Sequence, residues 1–390
     1  MSADVATLAR LAREGGRLGI DVEFMSEGRY VALLCLVQVA VPDSRARDGV
    51  RIDVLDPLGD GLDPGPLAEV LADPEVEVVL HAGRQDVAIL RREWDTEVRN
   101  VFDTQVAAAF AGFGAQLGYG PLLQSALGIS LTKSAGFTRW DARPLSEEQL
   151  RYAREDVENL LQLADRLQDR LTDSGRLTWA REECRALESA ADRRDPDEAW
   201  RRLPRVNRLR GRERAVAATL AAWREQVAAE ENRPLGWVLG DAPLLELARR
   251  RPADRTALEQ VRGLPGRTAG RRWRELLEVI ARGAASEPPA LHQDRPPPGE
   301  PGDAPLVALA EALVRARTLE GGLAYELVAT KADLGAIVAA RRRGNDEPGV
   351  RTLRGWRRDL VGAELLELLE GRRALAVDDA RGLEITPRER

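Results

Sequence analysis

The chain has 390 residues, 44% of them hydrophobic, and its 58 basic and 64 acidic side chains leave a net charge of −6, so it exceeds one average domain and carries enough apolar content for two or three cores. Only two cysteines, Cys35 and Cys184, are present, which excludes a disulfide framework and a zinc ribbon and fits a reducing cytoplasm. Met1-Ser2-Ala3-Asp4 lacks a basic segment leading into an apolar one, and the longest apolar run, Val31 to Val41, is too short to span a bilayer, so an unexported, cytoplasmic protein without membrane contact is expected.

Strands are predicted at Leu18 to Met25, Tyr30 to Val41, Arg51 to Leu55 and Glu75 to His81, with a shorter one near Val101 to Phe102, and helices between and after them. Three closely spaced strands followed by strands alternating with helices predict a mixed α/β sheet with helices on its faces. In the first strand Asp21 and Glu23 stand two apart and share a face, while Val22 points the other way and is expected in the core. After the fourth, His81-Ala82-Gly83-Arg84-Gln85-Asp86 passes into a helix-like pattern, which puts Asp86 near a helix start. Tyr152 and Asp156, four apart in a helical stretch, lie one turn apart on the same side.

Four carboxylates gathered without a cation repel one another and resist ionisation, whereas Mg²⁺ or Mn²⁺ prefers oxygen ligands and neutralises them. Two such ions about 3.5 to 4 Å apart clamp the attacking and leaving oxygens in phosphodiester hydrolysis. Any one cluster is a weak signal, since D-x-E arises often by chance and a Tyr/Asp pair four apart is usually a solvated helix face. The order of the three and their strand and helix settings carry the reading.

In that order and spacing, the D-x-E, H-A-G-x-x-D and Y-A-x-x-D motifs resemble the DEDDy 3′-to-5′ exonucleases, with the ribonuclease D group the nearest branch. The resemblance runs from about residue 16 to about residue 170 and takes in Asp103-Thr104-Gln105 and Trp140-Asp141-Ala142-Arg143-Pro144-Leu145. It implies a ribonuclease H-like fold and two divalent metal ions, Mg²⁺ or Mn²⁺, held by Asp21, Glu23, Asp86 and Asp156. It also implies that Tyr152 orients the water that attacks the 3′-terminal phosphodiester. Phe24, Met25, His81 and Trp140 are candidate substrate contacts. For His81, at the end of a buried strand, a positioning role is preferred; Trp140 is read evenly as a base-stacking residue or as filler of the seam beside the site. Val22 stands where the family commonly has Thr, and Arg139 where an acidic or small polar residue is common; neither change removes a ligand.

From about Arg212 the pattern is wholly helical, and Asn232-Arg233-Pro234, Val238, Asp241, Leu244, Pro252, Leu258 and Gly263 resemble the HRDC domain, a small helical nucleic-acid-binding module. Residues 201 to 283 hold 19 Arg against 10 acidic residues, whereas residues 1 to 160 hold 16 basic against 26 acidic. Affinity for a polyanion is therefore expected mainly from the helical module, weakening with salt. Trp237 and Trp273 are open between core and platform roles. The expected division is 1–200 for the exonuclease domain, 206–284 for the HRDC domain, 285–305 for a Pro-rich linker, 306–378 for a second, weaker HRDC-like helical domain and 379–390 for a charged, frayed tail.

These features lead to a metal-dependent 3′-to-5′ exoribonuclease releasing 5′-mononucleotides from RNA with a free 3′ end, with tRNA precursors as the substrate the family implies and no obligate protein partner. The ligands alone do not separate RNA from DNA, so a 3′-to-5′ DNA exonuclease stays open. A non-catalytic RNA-binding adaptor is the rival from another class, and the intact carboxylate set argues against it. No G-x-x-x-x-G-K-[S/T] loop is present, which argues against a free-standing helicase fragment.

Overall fold

The computed structural model describes residues 4–131, 139–192, 194–290, 300, 302–345, 348–377, 379 and 382–388. The first part is built from α1 (Val5–Gly15), β1 (Arg17–Met25), β2 (Leu33–Pro42), β3 (Val50–Leu55), α2 (Gly65–Ala72), β4 (Glu77–Leu80), α3 (Arg84–Glu93), β5 (Val101–Asp103), α4 (Thr104–Phe110), α5 (Tyr119–Leu127), α6 (Glu147–Glu158), α7 (Leu160–Asp173) and α8 (Leu177–Glu188). Its five strands form one mixed sheet in the order β3-β2-β1-β4-β5. β1 pairs antiparallel with β2 and parallel with β4, so it is the central strand where the two modes meet.

Alternation along β1 assigns its side chains to the two faces. Leu18, Ile20 and Val22 enter a core with residues of α1, α2 and α3, as Val22 was expected to do. Gly19, Asp21 and Glu23 turn the other way. On that side Gly19 lets α7 approach: a Cβ there would meet Leu160 Cδ2 at 3.3 Å and Leu161 Cδ2 at 3.5 Å. The close approach brings the end of α6, directly before α7, over the acidic part of β1. α6 starts where it does because Ser146 and Gln149 close a reciprocal capping box.

The second part is all helical: a 3₁₀ segment Pro196–Arg202, then α9 (Arg212–Glu230), α10 (Leu235–Val238), α11 (Asp241–Arg250), α12 (Arg255–Glu259), α13 (Gly266–Arg271) and α14 (Trp273–Ala285). Ala199, Trp200, Leu203, Val206 and Leu209 belong to its core. The boundary expected at residue 200 therefore falls before this 3₁₀ segment, because Trp200 buries itself against the helices that follow rather than the sheet that precedes.

The third part repeats that order with α15 (Asp303–Glu320), α16 (Tyr325–Val328), α17 (Lys331–Arg342), α18 (Gly355–Arg357) and, after a π turn, α19 (Ala363–Leu369). β6 (Arg373–Val377) and β7 (Leu383–Pro387) then form an antiparallel hairpin. Residues 383–387 of the tail expected to fray are thus paired, because Leu375 and Ile385, opposite each other in register, pack against the third part's core. Residues 291–299 and 301 of the Pro-rich linker lie outside the described residues.

Candidate active site

β1 presents Asp21 and Glu23, and α6 presents Tyr152 and Asp156. Asp21, Glu23 and Asp156 each offer a carboxylate oxygen, and the three lie within 4.8 Å of one another. Asp86, 8% exposed in the first turn of α3, lies outside that trio but close enough for its charge to act on Asp21 and Glu23.

Burial and mutual repulsion show in the acidities. Desolvation, then Asp86, Asp156 and Glu23, holds the Asp21 carboxyl well above its usual range. Desolvation, then Asp156 and Asp86, lifts Glu23 to about 8. Desolvation followed by Asp103 puts Asp86 at about 7, and desolvation followed by Glu155 puts Asp156 at about 7, with a hydrogen bond from the Tyr152 hydroxyl pulling the other way. Burial and the same carboxylates raise the Tyr152 phenol, so it stays protonated at neutral pH. Crowded oxygens that resist ionisation in the empty protein form a donor set suited to a hard divalent cation, which removes both penalties on binding.

The turn leading to Asp86 is held by a residue to which the motif reading assigned no role. Asp103, 1% exposed, accepts from the amides of Ala82 and Gly83 and from those of Gln105 and Val106. It caps α4 and clamps the His81–Asp86 turn at once. Gly83 has no room for a side chain, since a Cβ would stand 2.6 Å from Leu80 Cβ. An acid between a short apolar strand and Thr104 is a legible N-cap; that it also clamps a turn 20 residues earlier is not. Thr104 Oγ1 donates to the Leu80 carbonyl and lies 2.9 Å from His81 Nδ1. Burial lowers the His81 pKa, which keeps the ring neutral.

Three more neighbours were given no role from the motifs. Gln38 pairs with Asp21 across β1 and β2, and its fully buried amide has no hydrogen-bond partner among the described residues, which marks a polar place beside the cluster. Tyr119 stacks at a tilt on His81 with ring centres 5.4 Å apart, and burial and the charges of Asp156 and Asp21 raise its phenol. Arg143 donates to the Cys35 and Trp140 carbonyls and to Asp56, pinning the Trp140 segment to the sheet.

Of the candidate substrate contacts, Trp140 is 4% exposed and fills the seam with Cys35, Leu36 and Ala153, its ring 6.0 Å from that of Tyr152. Its burial favours the packing role over stacking on a base. Met25 borders the same seam, and Phe24 borders the opposite core. The β1–β2 register shifts between Glu23 and Phe24, a bulge of the kind that re-aims side chains next to sites. No described helix is long and apolar enough to cross a membrane.

Residues 2–172 match the 3′-5′ exonuclease family, and residues 213–280 match the HRDC domain. Ribonuclease D of Acidiphilium cryptum is 39% identical over 375 residues, covering 93% of this chain and 89% of that protein. Ribonuclease D of Granulibacter bethesdensis is 39% identical over 385 residues, covering 97% and 93%. The crystal structure of Escherichia coli RNase D, described as an exoribonuclease involved in structured RNA processing, superposes with a TM-score of 0.80 at 27% identity, covering 95% of this chain and 97% of that one. The catalytic core of RRP6 from Trypanosoma brucei shares the fold, with a TM-score of 0.54 at 21% identity over 72% of this chain and 77% of that one. The chain belongs to the ribonuclease D family and is by that membership a 3′-to-5′ exoribonuclease, an exonuclease domain followed by an HRDC domain.

Proposed function

We propose that Asp21, Glu23, Asp86 and Asp156 hold two divalent cations, Mg²⁺ or Mn²⁺, and that the protein removes 5′-mononucleotides from RNA 3′ ends, with tRNA precursors as natural substrates. The carrying observation is the convergence of three carboxylate oxygens from a strand and a helix within 4.8 Å, beside a fourth carboxylate in a helix first turn. Held by these four carboxylates, divalent cations would supply Lewis acidity, lowering the pKa of the attacking water and offsetting charge on the departing 3′-oxygen. The chain's own groups set direction. Tyr152, kept protonated by burial and neighbouring acids, holds that water in line with the scissile bond as a hydrogen-bonding group rather than as a base. Neutral His81, fixed through Thr104, keeps the Asp86 turn in place.

A second helical nucleic-acid unit at 306–378 is part of the reading, supported by the repeated element order. Two buried, free thiols suit a reducing cytoplasm. The test is purified protein beside Asp21→Ala, with matched labelled RNA and DNA strands in Mg²⁺, Mn²⁺ or chelator. Metal-dependent release of mononucleotides from RNA is expected, with turnover at least about 10³-fold lower in the variant. Equal activity in the variant removes the proposed site. Preference for DNA removes the RNA substrate.

A further inference from the structure

Seven of the eight tryptophans are buried or half-buried; Trp237, on α10, is 56% exposed. A lone exposed aromatic is ordinary, but the surroundings of this one point to a ligand. The Arg233 guanidinium lies over its ring, 5.6 Å from the centre. Its ring tip faces Gly28 of the β1–β2 loop, where an added Cβ would stand 3.5 Å away. That loop is tied to the same helical unit: Asn232 Oδ1 accepts from the amides of Tyr30 and Val31, and the Tyr30 hydroxyl donates to Glu225 at 2.6 Å. Beside Trp237, Arg233, Arg271 and Arg272 line a cavity of about 380 Å³, together with Glu231, which pairs with both Arg233 and Arg272, and Glu275, which pairs with Arg272.

Distance links this surface to the chemistry. Gly28 is five residues from Glu23, so at most about 17 Å of extended backbone separates them. Stacked nucleotides about 3.4 Å apart cover that span with about five units. An exposed indole beside a guanidinium is the arrangement with which proteins hold single strands, the ring taking a base and the cation the adjoining phosphate. The excess of 19 Arg over 10 acidic residues in 201–283 favours a polyanion over a protein partner.

We propose that Trp237 is a stacking platform for single-stranded RNA, no more than about five nucleotides upstream of the scissile bond, with Arg233 holding the phosphate next to the stacked base. The proposal rests on the exoribonuclease reading of the Asp21 site for its direction, and its test separates the two. Binding of a labelled single-stranded 12-mer is measured by fluorescence anisotropy in chelator, where no cleavage occurs. Trp237→Ala is expected to weaken binding about tenfold, and Trp237→Phe to recover most of it. In Mg²⁺, Trp237→Ala should raise KM for the 12-mer by a clearly larger factor than KM for a dinucleotide, which is too short to reach the platform. Unchanged 12-mer affinity overturns the proposal, as does an equal rise in both KM values, which reports a distorted site. A change in sedimentation with RNA binding intact also overturns it and makes the face a protein contact. Trp237-dependent binding without turnover in the parent protein would uphold the platform while sinking the nuclease reading.

Discussion

The two helical units share an order of elements and differ in how they meet the sheet. The first, α9 to α14, holds the β1–β2 loop through polar contacts, chiefly Tyr30 to Glu225 and Asn232 to two loop amides. The second, α15 to α19, docks through an aromatic plug: Trp356 is 1% exposed, edge-on to Phe110 at 4.9 Å and stacked on Trp179 at 5.5 Å. Arg357 grips Glu183 with two hydrogen bonds, and Trp356 Nε1 donates to the same carboxylate. Gly355 has a φ of 50°, a left-handed conformation that disfavours any side chain there. Charge differs in step, since residues 303–369 hold ten basic and ten acidic side chains while 201–283 carry the arginine excess. One backbone plan thus serves a polar contact made by an arginine-rich unit and an aromatic contact, closed by an Arg–Glu pair, made by a unit of balanced charge.

The comparison breaks most readily at the plug. Trp356→Ala should cost about 3 to 5 kcal/mol of stability in denaturant unfolding, since a buried indole leaves a cavity that collapses only in part. A loss below about 1 kcal/mol would mean that the aromatic contact holds little.

A pH series sharpens the contrast. Glu23 at about 8 and Asp86 and Asp156 at about 7 lie above their unfolded values, so the folded metal-free protein keeps protons that the unfolded chain releases. Stability from these groups is full below about pH 4 and is lost as pH rises through 7 to 8, by on the order of a few kcal/mol. Glu183 behaves oppositely. Burial works against its charge, but hydrogen bonds from Arg357 and Trp356 outweigh that and lower its pKa, so its contribution is present above the usual carboxylate range and fades as pH falls through the depressed value. Thermal melts of metal-free protein should therefore fall from pH 5 to 8.5 and recover with Mg²⁺. A flat profile would contradict the crowding of the carboxylates.

The smallest expected effect is at the polar contact. Tyr30→Phe removes one hydrogen bond to a carboxylate and should cost about 1 to 2 kcal/mol, read by denaturant unfolding and by faster limited proteolysis of the β1–β2 loop. An effect as large as that of Trp356→Ala would erase the distinction between the units.

Much of the first domain is legible in one dimension. All five strands lie where apolar runs place them, and period-two alternation separates Val22 from Asp21 and Glu23. A period of 3.6 puts Tyr152 and Asp156 on one side of α6. Where local pattern and long-range packing diverge, reading fails. Trp140 is open in the sequence between base and seam, and its surroundings on β2 and α6 bury it. The 383–387 strand is hidden by a charged context and forms because 373–377 supplies its hydrogen bonds. Trp200 reads as the end of one domain and is the core of the next.

By itself the sequence determined which residues carry carboxylates, on which strand or helix, and on which side, because those properties follow from backbone periodicities of two and 3.6 residues. Only the tertiary structure decided that the Asp21, Glu23 and Asp156 oxygens meet within 4.8 Å, that Asp103 clamps the turn before Asp86, and that Trp237 faces the loop after β1. Those are contacts between residues far apart in the chain, set by how helices close over the sheet, and no local period encodes them.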